Sequence, residues 1–365
     1  MKISEVVAHL EGIAPPSLQE HYDNAGLLTG NPDWECTGII VSLDSTSEVI
    51  AEAIGKKCNL VVAHHPIIFK GLKRITGSDY VGQTVIKAIK NDIAIYAIHT
   101  NLDNLLHGVN KMMADKLGLV NRKPLQLAKG QLKKLHVFVP ASHEDKLKDA
   151  LFVAGAGSIG NYSECSFSSY GKGSFKGGLN TSPYVGTPGE RHYENECRIE
   201  VVFPYYLEGV VLAAMKAVHP YEEIAFDLLT LDNSFASVGA GLVGELPDSV
   251  SESEFLAILK DAFSLQVIKH TAPTGRPIKT VALCGGAGSF LISNALTSKA
   301  DVYITADLKY HEFFEAEGRM LMCDIGHFES EQFTIDLLSD IVSEKFPNFA
   351  VLKTRVKTNP VHYFS

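Results

Sequence analysis

An α/β core divided by an inserted α+β domain is the architecture this sequence predicts, and three observations lead to it. The outer thirds alternate short apolar strands with amphipathic helices. The middle third breaks that alternation with a stretch rich in Gly, Ser and Tyr. The histidines and carboxylates that stand out as candidate ligands fall where apolar runs end, in the outer thirds. Apolar strands separated by helices imply a parallel or mixed sheet covered on both faces.

SEVVAHLEGI, residues 4–13, carries the spacing of an amphipathic helix, with Ser4 as its expected N-cap. CTGIIVSLD (36–44) reads as a buried strand and STSEVIAEAIGK as the helix after it. CNLVVAHHP (58–66) is a strand that stops at Pro66. YVGQTVIKAIKN is a helix, IAIYAIHTNLD (93–103) a strand, and VNKMMADKLGL a helix. In the final third, IKTVALCGGAGS is a strand into a glycine turn, followed by the helix SFLISNALTSK and the strand ADVYITADL. RMLMCDIGHFESE is a strand into a loop, QFTIDLLSDIVSEKF a long amphipathic helix, and FAVLKT a short strand. Between the thirds, LKKLHVFVP (strand), HEDKLKDALFVAG (helix), the Gly/Ser/Tyr-rich stretch 155–189, ECRIEVVFP (strand), LEGVVLAAMKAVH (helix) and EIAFDLLTLD (strand) follow an order that resembles a βαββαβ, ferredoxin-like unit. The expected boundaries are 1–127 and 236–365 for the two halves of the core and 128–235 for the insert.

The bulk composition excludes several functions. The 365 residues carry a net charge of −9 and no basic block, which argues against general nucleic-acid or anionic-membrane binding. The N-terminus lacks a signal-peptide pattern, and no run of about 18 apolar residues suggests a membrane helix. Six cysteines are scattered without CxxC pairs, as expected of reduced thiols in the cytoplasm.

Chemistry concentrates at three strand ends. Val61–Ala63 runs into His64, His65 and Pro66. Ile95–Ile98 runs into His99 and on to Asp103. Met320–Cys323 runs towards His327, with Glu331 four residues later, on the same face if that segment is helical. Sites in open α/β sheets form beyond the carboxyl ends of strands, where loops converge. Imidazoles and carboxylates together suit zinc, iron or manganese. Each residue also has an ordinary alternative: a surface turn for the histidines, a cap for Asp103, a side-chain pair for His327 and Glu331. Adjacent residues on extended chain diverge, so His64 and His65 share one ion only if the strand bends, and otherwise serve two. Five ligands exceed one tetrahedral shell, so two divalent ions are expected, bridged by Asp103 and Glu331. His99 is expected to orient Asp103 or relay protons.

Two glycine patterns need weighing. Gly155, Gly157 and Gly160 satisfy GxGxxG but follow a helix, the wrong context for a dinucleotide site. Gly285, Gly286 and Gly288 follow a strand, where a tight turn is favoured over an anion cradle.

The stretches DNAGLLTG (23–30), VVAHHPIIFKGLKRI (61–75), IYAIHTNLDN (95–104), VALCGGAGSF (281–290), DVYITADLKYHE (301–312) and CDIGHFESE (323–331) together resemble the NIF-three-like family, whose members are called GTP cyclohydrolase 1 type 2 homologues. The resemblance implies metal ligation by His64, His65, Asp103, His327 and Glu331. It departs from the family pattern at Ala306, where glycine is usual. GAGSIGNYSECSF (155–167) and HPYEEIAFDLL (219–229) resemble the PII-like or CutA-like insert of longer bacterial members. A toroidal homohexamer with metal sites facing an internal cavity is also implied. The expected function is metal-dependent hydrolysis, a metal-activated water attacking a nucleotide or cyclic amide, with His99 and His311 as candidate proton carriers. The alternative is a non-catalytic metal-dependent sensor or metal-handling protein.

Overall fold

The computed structural model describes residues 1–364. They form two compact units: residues 1–127 with the chain from Ala236 onward, and Ala128–Phe235. No helix among the described residues is long and apolar enough to cross a membrane.

The larger unit holds two mixed sheets. The first runs in the order Gly26–Thr29, Ala94–Ala97, Leu60–Ala63, Ile39–Ser42, Val351–Lys353. All its neighbours are parallel except the first pair. The three inner strands are buried at every position. That is why each reads as an unbroken apolar run. Helices Ile3–Ile13 and Thr334–Lys345 cover one face through Ile3, Val6, Leu10, Leu338 and Val342. Helices Ser47–Lys56 and Tyr80–Lys90 cover the other through Val49, Ile50, Ala53, Val85 and Ala88.

The second sheet runs Lys269–His270, Leu321–Asp324, Val302–Ala306, Ile278–Ala287, Gly239–Val250, Val120–Leu127. Its three strands from Leu321–Asp324 to Ile278–Ala287 are parallel neighbours. Helices Val109–Lys116 and Glu252–Ala262 cover one face with Met113, Phe255 and Leu259. Leu291, Ile292 and Ala295 cover the other.

Two strands exchange sheets. Val351–Lys353, from the C-terminal third, completes the first sheet, and Val120–Leu127, from the N-terminal third, edges the second. Val120–Leu127 has a single buried position and contains Pro124. As an edge strand it tolerates proline and charge, and so escapes an apolar-pattern reading.

Two local expectations need correction. The first helix begins at Ile3, so Ser4 lies in its first turn and is not the cap. The carboxylate of Glu5 accepts the Lys2 backbone N–H at 2.7 Å and fixes the start there. The strand expected over 93–103 ends at Ala97, and Thr100–Asp103 is a helical turn. Side chains cap that turn: Asn101 Oδ1 accepts the His99 N–H at 2.9 Å, and Asp23 Oδ2 accepts the Thr100 N–H at 3.0 Å.

The smaller unit follows the order β, α, β, β, α, β. Its elements are Leu132–Pro140, Glu144–Val153, Ser166–Lys176, Arg191–Pro204, Glu208–Val218 and Phe226–Leu231. The antiparallel sheet runs Ser166–Lys176, Arg191–Pro204, Leu132–Pro140, Phe226–Leu231. Both helices pack on it through Leu147, Leu151, Val211 and Met215. Ser166–Lys176 crosses the Gly/Ser/Tyr-rich stretch as an edge strand without a fully buried position. Gly155, Gly157 and Gly160 form a left-handed turn after the helix Glu144–Val153.

Candidate metal centre

Parallel strands deliver their carboxyl ends to one edge. At that edge of the first sheet stand Asp44, His64, His65, His99 and Asp103. At that edge of the second stand Asp307, His327 and Glu331, the last two on the short helix His327–Glu331.

His64 is fully buried, and its Nδ1 lies 2.8 Å from the Ile98 carbonyl oxygen. Nδ1 therefore carries the proton, and the Nε2 lone pair faces inward. Nε2 stands 3.5 Å from Asp103 Oδ1 and 3.9 Å from Glu331 Oε1. Among the described residues neither His64 Nε2 nor Asp103 Oδ1 has a hydrogen-bond partner, although both atoms are buried. Leaving two buried acceptors unpaired is costly, and a cation between them removes the cost.

A second group lies alongside. His65 Nε2 is 2.9 Å from Glu331 Oε2, and His327 Nε2 is 3.1 Å from the same oxygen and 3.3 Å from His65 Nε2. Glu331 thus turns Oε1 towards His64, whose Nε2 also faces Asp103, and Oε2 towards His65 and His327. The rings of His64 and His65 are tilted at 45° with centroids 4.9 Å apart. His65, His327 and Glu331 can hold a metal ion, as can His64, His65 and His99.

Carboxylates fix three of the imidazoles. Asp44 Oδ1 lies 2.7 Å from His65 Nδ1, Asp307 Oδ2 lies 2.7 Å from His327 Nδ1, and Asp23 Oδ1 lies 2.8 Å from His99 Nδ1. Such contacts set the tautomer and aim the remaining nitrogen, as they do around metal-ligating histidines.

The electrostatics follow from these contacts. Burial, with the charges of His65 and His99, pushes the His64 pKa down to about 3 against the pull of Glu331. Burial opposes charge on His65, but its bonds to Asp44 and Glu331 prevail and raise its pKa to about 9. The same contest at His327, won by Asp307 and Glu331, raises it to about 11. Burial, reinforced by the charge of Glu331, pushes Asp103 well above the ordinary carboxylate range. Burial also acts against Glu331, yet hydrogen bonds from His327 and His65 hold it well below that range.

Two of the glycines expected to form a turn after the strand lie within it instead: Ile278–Ala287 includes Gly285 and Gly286, at a shift in register, and they make room for this cluster. A Cβ on Gly286, at φ +62°, would stand 2.4 Å from Glu331 Oε1, and one on Gly285 would press on Val109 and Glu331. The irregularity clears space for the Glu331 side chain, and the Gly286 N–H donates to Ser330 Oγ at 3.0 Å.

The centre opens into a cleft of about 380 Å³ whose walls include His65, His99, Asp103, His327 and Glu331, with Tyr22, Phe69 and Phe290 as aromatic sides. That size suits a small molecule.

Residues 1–360 match the family described as Duf34/NIF3 (NGG1p interacting factor 3). The chain belongs to this family. It is 37% identical to the GTP cyclohydrolase 1 type 2 homolog of Bacillus subtilis, covering 98% of this chain and 97% of that one. It is 38% identical to the protein of that name from Halalkalibacterium halodurans, covering 99% of both. A Bacillus cereus protein related to NIF3 has a crystal structure similar to this fold at a TM-score of 0.86, with 34% identity, over 100% of this chain and 99% of that one.

Within this Duf34/NIF3 fold, His64, His65, Asp103, His327 and Glu331 come together from segments far apart in sequence. His99 joins them, its ring centroid 5.2 Å from that of His64 and 5.5 Å from that of His65. Its Nδ1 partner is Asp23, not Asp103. His311 is not brought to the cleft: it is exposed on the 3-10 helix Tyr310–Ala316, beside Tyr310 and Phe314. Ala306 is fully buried and registers with Ala287 in the second sheet. The sequence reading passed over Asp23, Asp44 and Asp307. The signal was available for two of them, because Asp44 and Asp307 close apolar strands just as the chosen histidines do.

Proposed function

We propose that the chain is a dinuclear metal-dependent hydrolase acting on a small molecule with an electrophilic ring carbon, a nucleotide or cyclic amide. The observation that carries this reading is the division of Glu331 between two sides, Oε1 facing His64, which itself faces Asp103, and Oε2 facing His65 and His327. Each side would hold one ion. Two divalent ions of zinc, iron or manganese, when bound, supply Lewis acidity and a nucleophile available near neutral pH.

The chain's own residues do the rest. Asp44 and Asp307 keep His65 and His327 aimed at the centre. Asp23 fixes Nδ1 of His99 on the cleft wall, leaving Nε2 to give or take a proton at a bound substrate. Tyr22, Phe69 and Phe290 flank the cleft, and their faces suit a flat ring. The relatives' name points towards GTP. In this reading the smaller unit is a PII-like or CutA-like module, and the assembly is a toroidal homohexamer, for which light scattering should give the mass of six chains.

The test is a screen of nucleotides and cyclic amides with protein reconstituted with zinc, manganese or iron. Metal-dependent hydrolysis is expected, abolished by chelation. His99→Asn should keep its metal and lose about 10²-fold in turnover. No hydrolysis with any metal would favour a metal-dependent sensor.

A further inference from the structure

The smaller unit has a cavity of its own, of about 350 Å³, that the metal centre does not use. Its size is that of a small-molecule site. Three aromatic rings wall it: Phe175, Tyr184 and Tyr221. The Phe175 and Tyr221 centroids are 6.0 Å apart with the rings at 58°, and those of Tyr184 and Tyr221 are 6.4 Å apart at 47°. Rings so tilted form a corner instead of a stack. A cation placed in such a corner stands within about 6 Å of more than one ring centroid.

The polar lining has one dominant sign. Glu196, Glu222 and Glu223 face the cavity against a single Lys176. The unit's ion pairs lie elsewhere, at Glu144, Asp145, Glu194, Glu200 and Glu208. Among the described residues the three cavity carboxylates therefore have no cationic partner.

The walls are held in place by the HPYEE segment, residues 219–223. His219 is buried, with Nε2 2.9 Å from the Phe138 carbonyl oxygen, and its Nδ1 accepts the Tyr221 N–H at 3.1 Å. The Tyr221 hydroxyl donates to Glu196 Oε1 at 3.0 Å. The Ser182 N–H donates to Glu222 at 3.0 Å, tying the loop that carries Tyr184 to the same turn. One network thus orients rings and carboxylates together.

We propose that this cavity binds an organic ammonium cation, a quaternary or alkylated amine. Aromatic faces and carboxylates both attract positive charge, and the same carboxylates repel phosphates. The inference is independent of the metal chemistry. The test uses the full chain with its metal in place, titrated by calorimetry with choline, with its uncharged isostere 3,3-dimethylbutan-1-ol, and with ATP. Choline should bind, the isostere at least about tenfold more weakly, and ATP not at this cavity. Tyr184→Ala should weaken choline by about tenfold or more, while Tyr184→Phe retains binding and both variants keep the metal content of the parent. Tyr184 is 52% exposed, so its truncation leaves the core of the unit intact. Equal binding of the isostere, binding of ATP in its place, no binding of choline or tetraethylammonium up to about 10 mM, or choline binding indifferent to Tyr184→Ala would each overturn the proposal.

Discussion

At the level of single residues, the centre is organised by which nitrogen each histidine presents. His64 is held by a carbonyl and stays neutral, its pKa pushed down to about 3, whereas His65 and His327, held by carboxylates, are raised to about 9 and about 11. At pH 7.5 without metal, His65 and His327 therefore carry protons. A metal ion takes an imidazole only after its proton leaves, so loading at that pH should release on the order of two protons per chain, measurable with an indicator dye in weak buffer. No release would contradict the ligand assignment. The linked sign for the metal-free protein follows from the raised values. Stability from these two groups is complete below the unfolded histidine range near 6.5 and is lost as pH rises through about 9 and then about 11. The clustered histidines were legible because they interrupt apolar runs. Their pairing with particular carboxylates was not, because Asp23 reaches His99 across 76 positions and Asp307 reaches His327 across 20, distances that no periodicity encodes.

At the scale of elements, the parallel strands do the positioning, and the glycine irregularity near the end of Ile278–Ala287 is where that strand meets Glu331. Gly286→Ala should illustrate this. The new methyl group would sit 2.4 Å from Glu331 Oε1, on backbone already at φ +62°. Glu331 would have to move, so the variant should fall at least about tenfold in metal affinity, beyond the order 1 kcal/mol that an alanine in left-handed backbone costs in stability. An unchanged affinity by competitive chelation would show that Glu331 is not confined there. The inner strands were legible because burial on both faces makes them uniformly apolar. Val120–Leu127 and Ser166–Lys176 were not, since edge strands keep polar residues and proline without penalty. The turn at Thr100–Asp103 escaped because its caps, Asn101 and Asp23, act through side chains.

At the scale of the whole molecule, the two outer thirds are one body, each lending a strand to the sheet of the other. The ends flanking the smaller unit lie close together, because Leu127 registers with Gly239 across an antiparallel pair. Replacing 128–235 with a short glycine linker should therefore leave a soluble core whose melting temperature falls on chelation. An insoluble or metal-free product with several linker lengths would contradict that independence. The central claim remains that one carboxylate, Glu331, serves two ions, one beside His64 and Asp103 and one beside His65 and His327. Elemental analysis after reconstitution tests it most directly. About two ions per chain are expected in the parent and fewer than about one in Glu331→Gln, the bridge being common to both sites. A parent that saturates at one ion, or a Glu331→Gln variant that keeps two, would contradict the account.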